Sequence, residues 1–239
     1  MSPDPCARAD PGVARRRPPP YAPCGRGNGV RLDLDGPAGR LESLYEAPPE
    51  PRFCAAVLHP HPLLGGTMDN HATYRLAKAV RAAGGAALRI NFRGVGRSAG
   101  AYDGGRGERE DARAALAWLG AHHPGLPRLT CGFSFGSWMA LEAGCADPAV
   151  SGVLCAGLAL ALREVATDVA RACPKPVAVV QAERDEFGSP AEVEAALRGA
   201  AGPRRVHVVE RASHLFTEAL PALEAEAAAA LGWILRGAP

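Results

Sequence analysis

Gly132-Phe133-Ser134-Phe135-Gly136 is the stretch of this chain whose residue types and spacing most directly permit covalent chemistry. It follows a short apolar run, Leu129 to Cys131, and leads into the helix-forming Ser137-Trp138-Met139-Ala140. In that context G-x-S-x-G sets a serine hydroxyl on a sharp strand-to-helix turn, and the glycines leave room where side chains would strike neighbouring backbone. A helix beginning near Phe135 directs the positive end of its dipole at that hydroxyl. In a chain with 28 glycines the same pattern also arises as a plain turn, so its meaning depends on what other segments bring to it.

A serine hydroxyl is a poor nucleophile until a histidine accepts its proton, and that histidine needs a carboxylate on its other ring nitrogen. In sheets that alternate strands with helices, ligands gather beyond the carboxyl ends of the strands. His59 and His61 follow the apolar run 54–58, and Asn91-Phe92-Arg93-Gly94 follows 86–90. Ser134 follows 129–133, Glu183-Arg184-Asp185-Glu186 follows 177–181, and Arg211-Ala212-Ser213-His214 follows 206–209. A serine, a carboxylate and a histidine thus close three different strands in the order Ser, Asp, His. Asp185 competes with its neighbours Glu183 and Glu186 for the acid. His214 competes with His207, which alternation places within a strand, and with His122 and His123 at a helix end.

The elements that must hold these groups are legible from periodicity. Val30–Leu34 and Leu41–Tyr45 alternate apolar and polar residues around Gly36-Pro37-Ala38-Gly39, an antiparallel hairpin. The continuous apolar run 54–58 suits a strand buried on both faces, and further strands are expected at 86–90, 129–133, 150–156, 177–181 and 206–209. Helices are expected over about 71–84 with Asn70 as N-cap, 108–122, from the serine turn to about 145, 190–199 with Ser189 as N-cap, and 220–235. Two hairpin strands followed by strands alternating with helices describe an α/β sheet covered on both faces. Residues 1–28, rich in Pro and Arg, carry no apolar period and read as a disordered leader, leaving 29–239 as a single domain.

Composition narrows the function classes. With 27 Lys+Arg against 25 Asp+Glu, the balance gives no reason to expect a nucleic-acid partner. No apolar run reaches the roughly 18 residues of a membrane span, and no apolar core of a secretory signal opens the chain. The seven cysteines are scattered without a C-x-x-C pair, as expected of reduced thiols in a cytoplasmic protein. Oligomeric state is not encoded in any pattern found.

The segments HPHPLLGGTMDN (59–70), INFRGVGRSAG (90–100), GFSFG (132–136), QAERDEF (181–187) and ASHLF (212–216) together resemble the α/β-hydrolase superfamily over nearly all of residues 30–235. The resemblance is strongest to short bacterial serine hydrolases related to dienelactone hydrolases and simple esterases. It implies a mostly parallel eight-stranded sheet with helices on both faces. It also implies Ser134 as nucleophile, Asp185 as orienting acid and His214 as base, cleaving ester-like bonds of a small-molecule acyl substrate without a cofactor. Dienelactone hydrolases proper carry a cysteine nucleophile, whereas this chain has Ser134. The alternative is a catalytically idle member serving as a binding scaffold.

An oxyanion hole needs two main-chain N–H groups: one from Phe135, the other from the loop after 54–58. Pro60 and Pro62 have no N–H, which leaves His61 or Leu63, with His61 preferred. Leu63, His59 and Phe216 are the expected pocket liners. His59 and His61 lack the further Cys, Asp or His companions of a metal site, so no metal is expected. Gly94-Val95-Gly96-Arg97-Ser98-Ala99 superficially matches a dinucleotide loop, but its place after the fourth strand makes a connecting turn the simpler reading. The connection 157–174 has room for one short helix, so little or no lid is expected.

Overall fold

The computed structural model describes residues 29–162 and 165–237. The expected leader, 1–28, lies outside the described residues. The elements run β1 (Val30–Gly36), β2 (Gly39–Glu46), β3 (Phe53–Leu58), α1 (His71–Ala82), β4 (Gly85–Ile90), α2 (Arg106–His122), β5 (Arg128–Phe133), α3 (Phe135–Ala146) and β6 (Val150–Ala156). They continue with α4 (Val165–Ala172), β7 (Val177–Ala182), α5 (Pro190–Ala196), β8 (Arg204–Val209) and α6 (Leu220–Leu235). One eight-stranded sheet results, in the order β1-β2-β4-β3-β5-β6-β7-β8. The β1–β2 hairpin joins β4 antiparallel, and the six strands from β4 to β8 pair in parallel.

The period-two alternation of the strands builds two cores. In β3, Cys54, Ala56 and Leu58 face one side with residues of α2, α3, α4 and α5, while Phe53, Ala55 and Val57 face the other with α1 and α6. Every residue of β3, β4 and β7 is buried, which is why these strands read as apolar runs broken only by Arg89 in β4 and Gln181 in β7. Cys54, Cys131 and Cys155 serve as small core residues, and burial pushes the Cys131 thiol up to about 12. Helix starts follow the sequence cues. Asn70 Oδ1 accepts the N–H groups of Ala72 and Thr73 at 3.0 and 3.3 Å, and Ser189 with Glu192 forms a capping box on α5.

The connection from β6 to β7 carries a one-turn 3-10 helix, Leu160–Leu162, and the short α4, which lies in the α3 layer with Ala170 in the core. No lid is formed by the described part of this connection. Among the described residues no helix is long and apolar enough to cross a membrane.

The turn after β4 is held by the Glu42 carboxylate instead of lying open to a phosphate. Glu42 Oε2 accepts from Asn91 Nδ2 (2.9 Å) and from the Arg97 N–H (2.8 Å), and Oε1 from Arg97 Nε (3.0 Å). The N–H groups of Gly94, Val95 and Ser98 go to Ala99, Phe92 and Val95 carbonyls, so this loop has spent the donors a phosphate would need. Burial alone would raise the Glu42 carboxyl, but these donors hold it below its ordinary value. Glu42→Ala would strand a buried amide and a main-chain N–H, and should cost about 3 kcal/mol in urea unfolding at neutral pH. A loss below about 0.5 kcal/mol would show that the loop stands without it.

Candidate active site

Ser134 sits between the end of β5 and the start of α3 with φ 54° and ψ −117°, a left-handed backbone that non-glycine residues rarely take. Such a conformation costs on the order of 1–3 kcal/mol and persists only where its surroundings over-determine it. Here the surroundings are backbone. A Cβ on Gly132 would collide with the Gly136 carbonyl, and one on Gly136 with the Leu58 carbonyl at the tip of β3. The Ser134 N–H donates to the Ala156 carbonyl at 2.9 Å. The buried Ser137 hydroxyl stands 2.9 Å from the Gly132 carbonyl and 2.8 Å from that of Ala156, and it accepts the Ala156 N–H at 3.2 Å. Strand, turn and helix are thereby tied to β6.

The loop after β8 brings His214 to this turn, with Nε2 at 2.9 Å from Ser134 Oγ. On the far side of the ring, Nδ1 lies 3.0 and 2.9 Å from the two carboxylate oxygens of Asp185, which follows β7. Asp185 Oδ1 also accepts the Phe187 N–H at 3.0 Å and Oδ2 accepts from Gln181 Nε2 at 2.9 Å. A carboxylate so surrounded by donors takes the Nδ1 proton as acceptor, which leaves Nε2 to accept from the serine hydroxyl. The ring is wedged between Phe133 and Phe187, with centroids 5.5 and 4.8 Å away. Gly157 gives it clearance: a Cβ there would stand 3.1 Å from His214 Cε1. His214, Asp185 and Ser134 are all buried, the serine retaining 9% exposure.

The competing groups are engaged elsewhere. Glu183 accepts the Arg211 N–H at 2.6 Å, and Glu186 faces the main-chain N–H of His214 (3.3 Å) instead of its ring. His207 lies within β8 against Glu226 at 3.0 Å, and His122 and His123 bond Trp118 and Tyr45 at the end of α2.

Three comparisons bear on this arrangement. An α/β serine hydrolase homologue from Coxiella burnetii shares 31% identity and superposes with a TM-score of 0.80 over 86% of this chain and 98% of its own. The chain belongs to the α/β-hydrolase superfamily. A lidless α/β serine hydrolase from Xanthomonas campestris is similar at 29% identity, with a TM-score of 0.76 over 86% of this chain and 94% of that one. An uncharacterised protein of Rickettsia prowazekii is 37% identical over 166 residues, 68% of this chain and 70% of the relative. No family model matches the sequence.

In this α/β-hydrolase the loop after β3 lies against the start of α3. The His61 ring packs on Phe135 and Tyr102 at centroid distances of 5.1 and 5.0 Å. His61 Nδ1 accepts the Leu63 N–H at 3.2 Å, so its Nε2–H faces the Tyr102 hydroxyl at 3.2 Å, and burial holds its pKa below the ordinary value. Among the described residues neither the His61 nor the Phe135 main-chain N–H donates to a protein acceptor. Leu63 and Leu64 stand on a one-turn 3-10 helix, Pro62–Leu64, and are 69% and 83% exposed.

Two expected pocket liners are corrected. His59 is fully buried, its Nδ1 facing the Pro60 carbonyl at 2.6 Å and its Nε2 accepting the Phe92 N–H at 3.0 Å. With both nitrogens bonded to main chain, it lines no pocket and has no lone pair to offer a metal; it joins the loops after β3 and β4. Phe216 is fully buried beside Phe133, in the core, with φ 55°. Alternation after a strand end could not separate these positions from exposed ones, because the loops curl back under the site. Gln181, Gly157 and Ser137 were not anticipated as parts of the site. Only Gln181 leaves a sequence signal, a lone amide in the apolar strand Val177–Ala182.

Burial pushes the His59 imidazole from its ordinary 6.5 down to about 4, against a weaker upward pull from the Pro60 carbonyl. Below pH about 6.5 the unfolded chain takes up this proton before the folded one does. Stability is therefore complete above that pH and drains by about 3 kcal/mol as pH falls to 4. His59→Gln keeps an acceptor for the Phe92 N–H and cannot titrate. The stability difference between wild type and variant should shrink steadily from pH 7 to 4.5 in urea unfolding. A constant difference would show that His59 takes up protons equally in both states.

Proposed function

We propose that this α/β-hydrolase is a serine hydrolase that cleaves ester-like acyl bonds through an acyl-enzyme intermediate. The observation that carries the reading is the continuous hydrogen-bonded chain Ser134–His214–Asp185 at a strained strand-to-helix turn. The likeness to serine hydrolases of about 30% identity supports it. In this reading His214 Nε2 takes the hydroxyl proton as Ser134 Oγ attacks the substrate carbonyl. Asp185 fixes the tautomer and stabilises the imidazolium. The negative oxygen of the tetrahedral intermediate is met by the main-chain N–H groups of Phe135 and His61, helped by the positive end of α3. Leu63 is the poorer second donor, since its N–H is occupied by the His61 ring. The imidazolium returns its proton to the leaving group, and water activated by the same histidine releases the acyl group.

The exposed Leu63 and Leu64 beside this loop, and Leu215 (57% exposed) directly after His214, offer an apolar rim without a lid. Esters of small to medium acids fit such a rim best. A fluorophosphonate probe should label the protein, and Ser134→Ala should abolish both labelling and hydrolysis of p-nitrophenyl esters. His214→Ala should lower kcat by at least about a thousandfold and Asp185→Asn by about ten-thousandfold, each with an unchanged circular dichroism spectrum. Turnover that survives Ser134→Ala would rule out the assignment; a well-folded protein inert to probe and esters would point to an idle scaffold. In a chain-length series, Leu63→Ser should raise KM for hexanoate and octanoate esters while leaving acetate unaffected.

A further inference from the structure

Gln181 is a fully buried amide in a strand whose other members are Val and Ala. Burying an amide is unfavourable unless each donor and acceptor finds a partner, and valine would fit this strand without that demand. Here both the amide N–H groups and the carbonyl oxygen find partners. Oε1 accepts the Leu158 N–H at 2.8 Å, and Nε2 donates to Asp185 Oδ2 at 2.9 Å and to the Gly188 carbonyl at 2.7 Å. Three segments meet on one side chain. These are the loop after β6, whose Gly157 gives the His214 ring its clearance, the turn carrying Asp185, and the entry to α5.

We infer that Gln181 is the positioning residue for the Asp185 carboxylate. It rests on the reading of Ser134, His214 and Asp185 as the reacting set. With Oδ1 held by the Phe187 N–H and Oδ2 by the Gln181 amide, the carboxylate plane cannot rotate away from the His214 ring. The Leu158 contact adds a second effect, because it fixes the strip of backbone against which that ring stands. Gln181 touches neither the substrate nor the serine, and acts only through Asp185 and the ring. Its role is therefore orientation of the base, which enters the chemical step and not substrate binding.

Two variants test this in the full-length protein. Gln181→Met keeps the length and apolar fit but removes every hydrogen bond. Gln181→Glu keeps the shape and the acceptor for Leu158 but sets a second carboxyl against Asp185 Oδ2, so that a proton shared between two carboxyls replaces the amide donor. Both should lower kcat for p-nitrophenyl acetate by about tenfold to a hundredfold with KM within about threefold of wild type. The downfield proton resonance of His214 Nδ1 should shift or broaden, a change that mere loosening of the strand would not produce. If Gln181→Met fails to fold, Gln181→Glu is read by the same two measurements. A folded variant with wild-type kcat and an unmoved resonance, or one whose loss lies wholly in KM, overturns the positioning role. Ser134→Ala, assayed alongside, separates the two claims: its inactivity preserves the nucleophile whichever way Gln181 falls, whereas its activity removes the reading on which this inference rests.

Discussion

The site depends on one steric fact, the closeness with which three pieces of backbone pass at the serine turn. Gly132 and Gly136 carry only hydrogens where the Gly136 and Leu58 carbonyls approach, and this contact sets the first turn of α3 against the tip of β3. Ser134 is forced into left-handed geometry as a consequence. The strain is absorbed by the Ser134 and Ser137 bonds to β6, where they replace water that the buried carbonyls have lost. The same approach brings the His61 loop beside the start of α3, so the serine turn and the candidate oxyanion donors are consequences of one packing event.

Around that turn the protein spends buried polar groups on fastening loops. His59 joins the loops after β3 and β4, Glu42 closes the turn after β4, and Gln181 gathers three segments behind Asp185. Each bonds a loop that follows a core strand, where apolar packing gives out and hydrogen bonds must specify geometry. His59 shows the cost of the device, since an imidazole buried in its neutral form becomes a liability in acid. The edge of the site is built differently. Leu63, Leu64 and Leu215 remain exposed on short loops that shape the rim and contribute little to the core.

Much of this was legible in the chain because its signals are local. Largely apolar runs marked β3 to β7 to within a residue or two, and Asn70 and Ser189 marked helix starts through caps that bond within three residues. That Ser134, Asp185 and His214 meet in one place was legible for a related reason. Parallel strands all end on one side of the sheet, so residues that follow strands in sequence share a region of space. His59 and Phe216 were misplaced by the same rule. Following a strand fixes which end of the sheet a residue occupies, but not whether its side chain turns outward or back under the loop.

The sequence by itself determined the alternation of strands and helices, the serine turn, and the order in which Asp185 and His214 follow it. Each of these is written in period, glycine spacing or chain order, which act over a few residues. Only the tertiary structure decided which carboxylate faces His214, which main-chain N–H groups stay unspent, and that the Gln181 amide stands behind Asp185. The choice of carboxylate rests on hydrogen-bond distances of about 3 Å between His214 and Asp185, 29 positions apart in the chain. At that range a one-residue difference in a loop redirects a side chain, and no local pattern in the sequence carries the information.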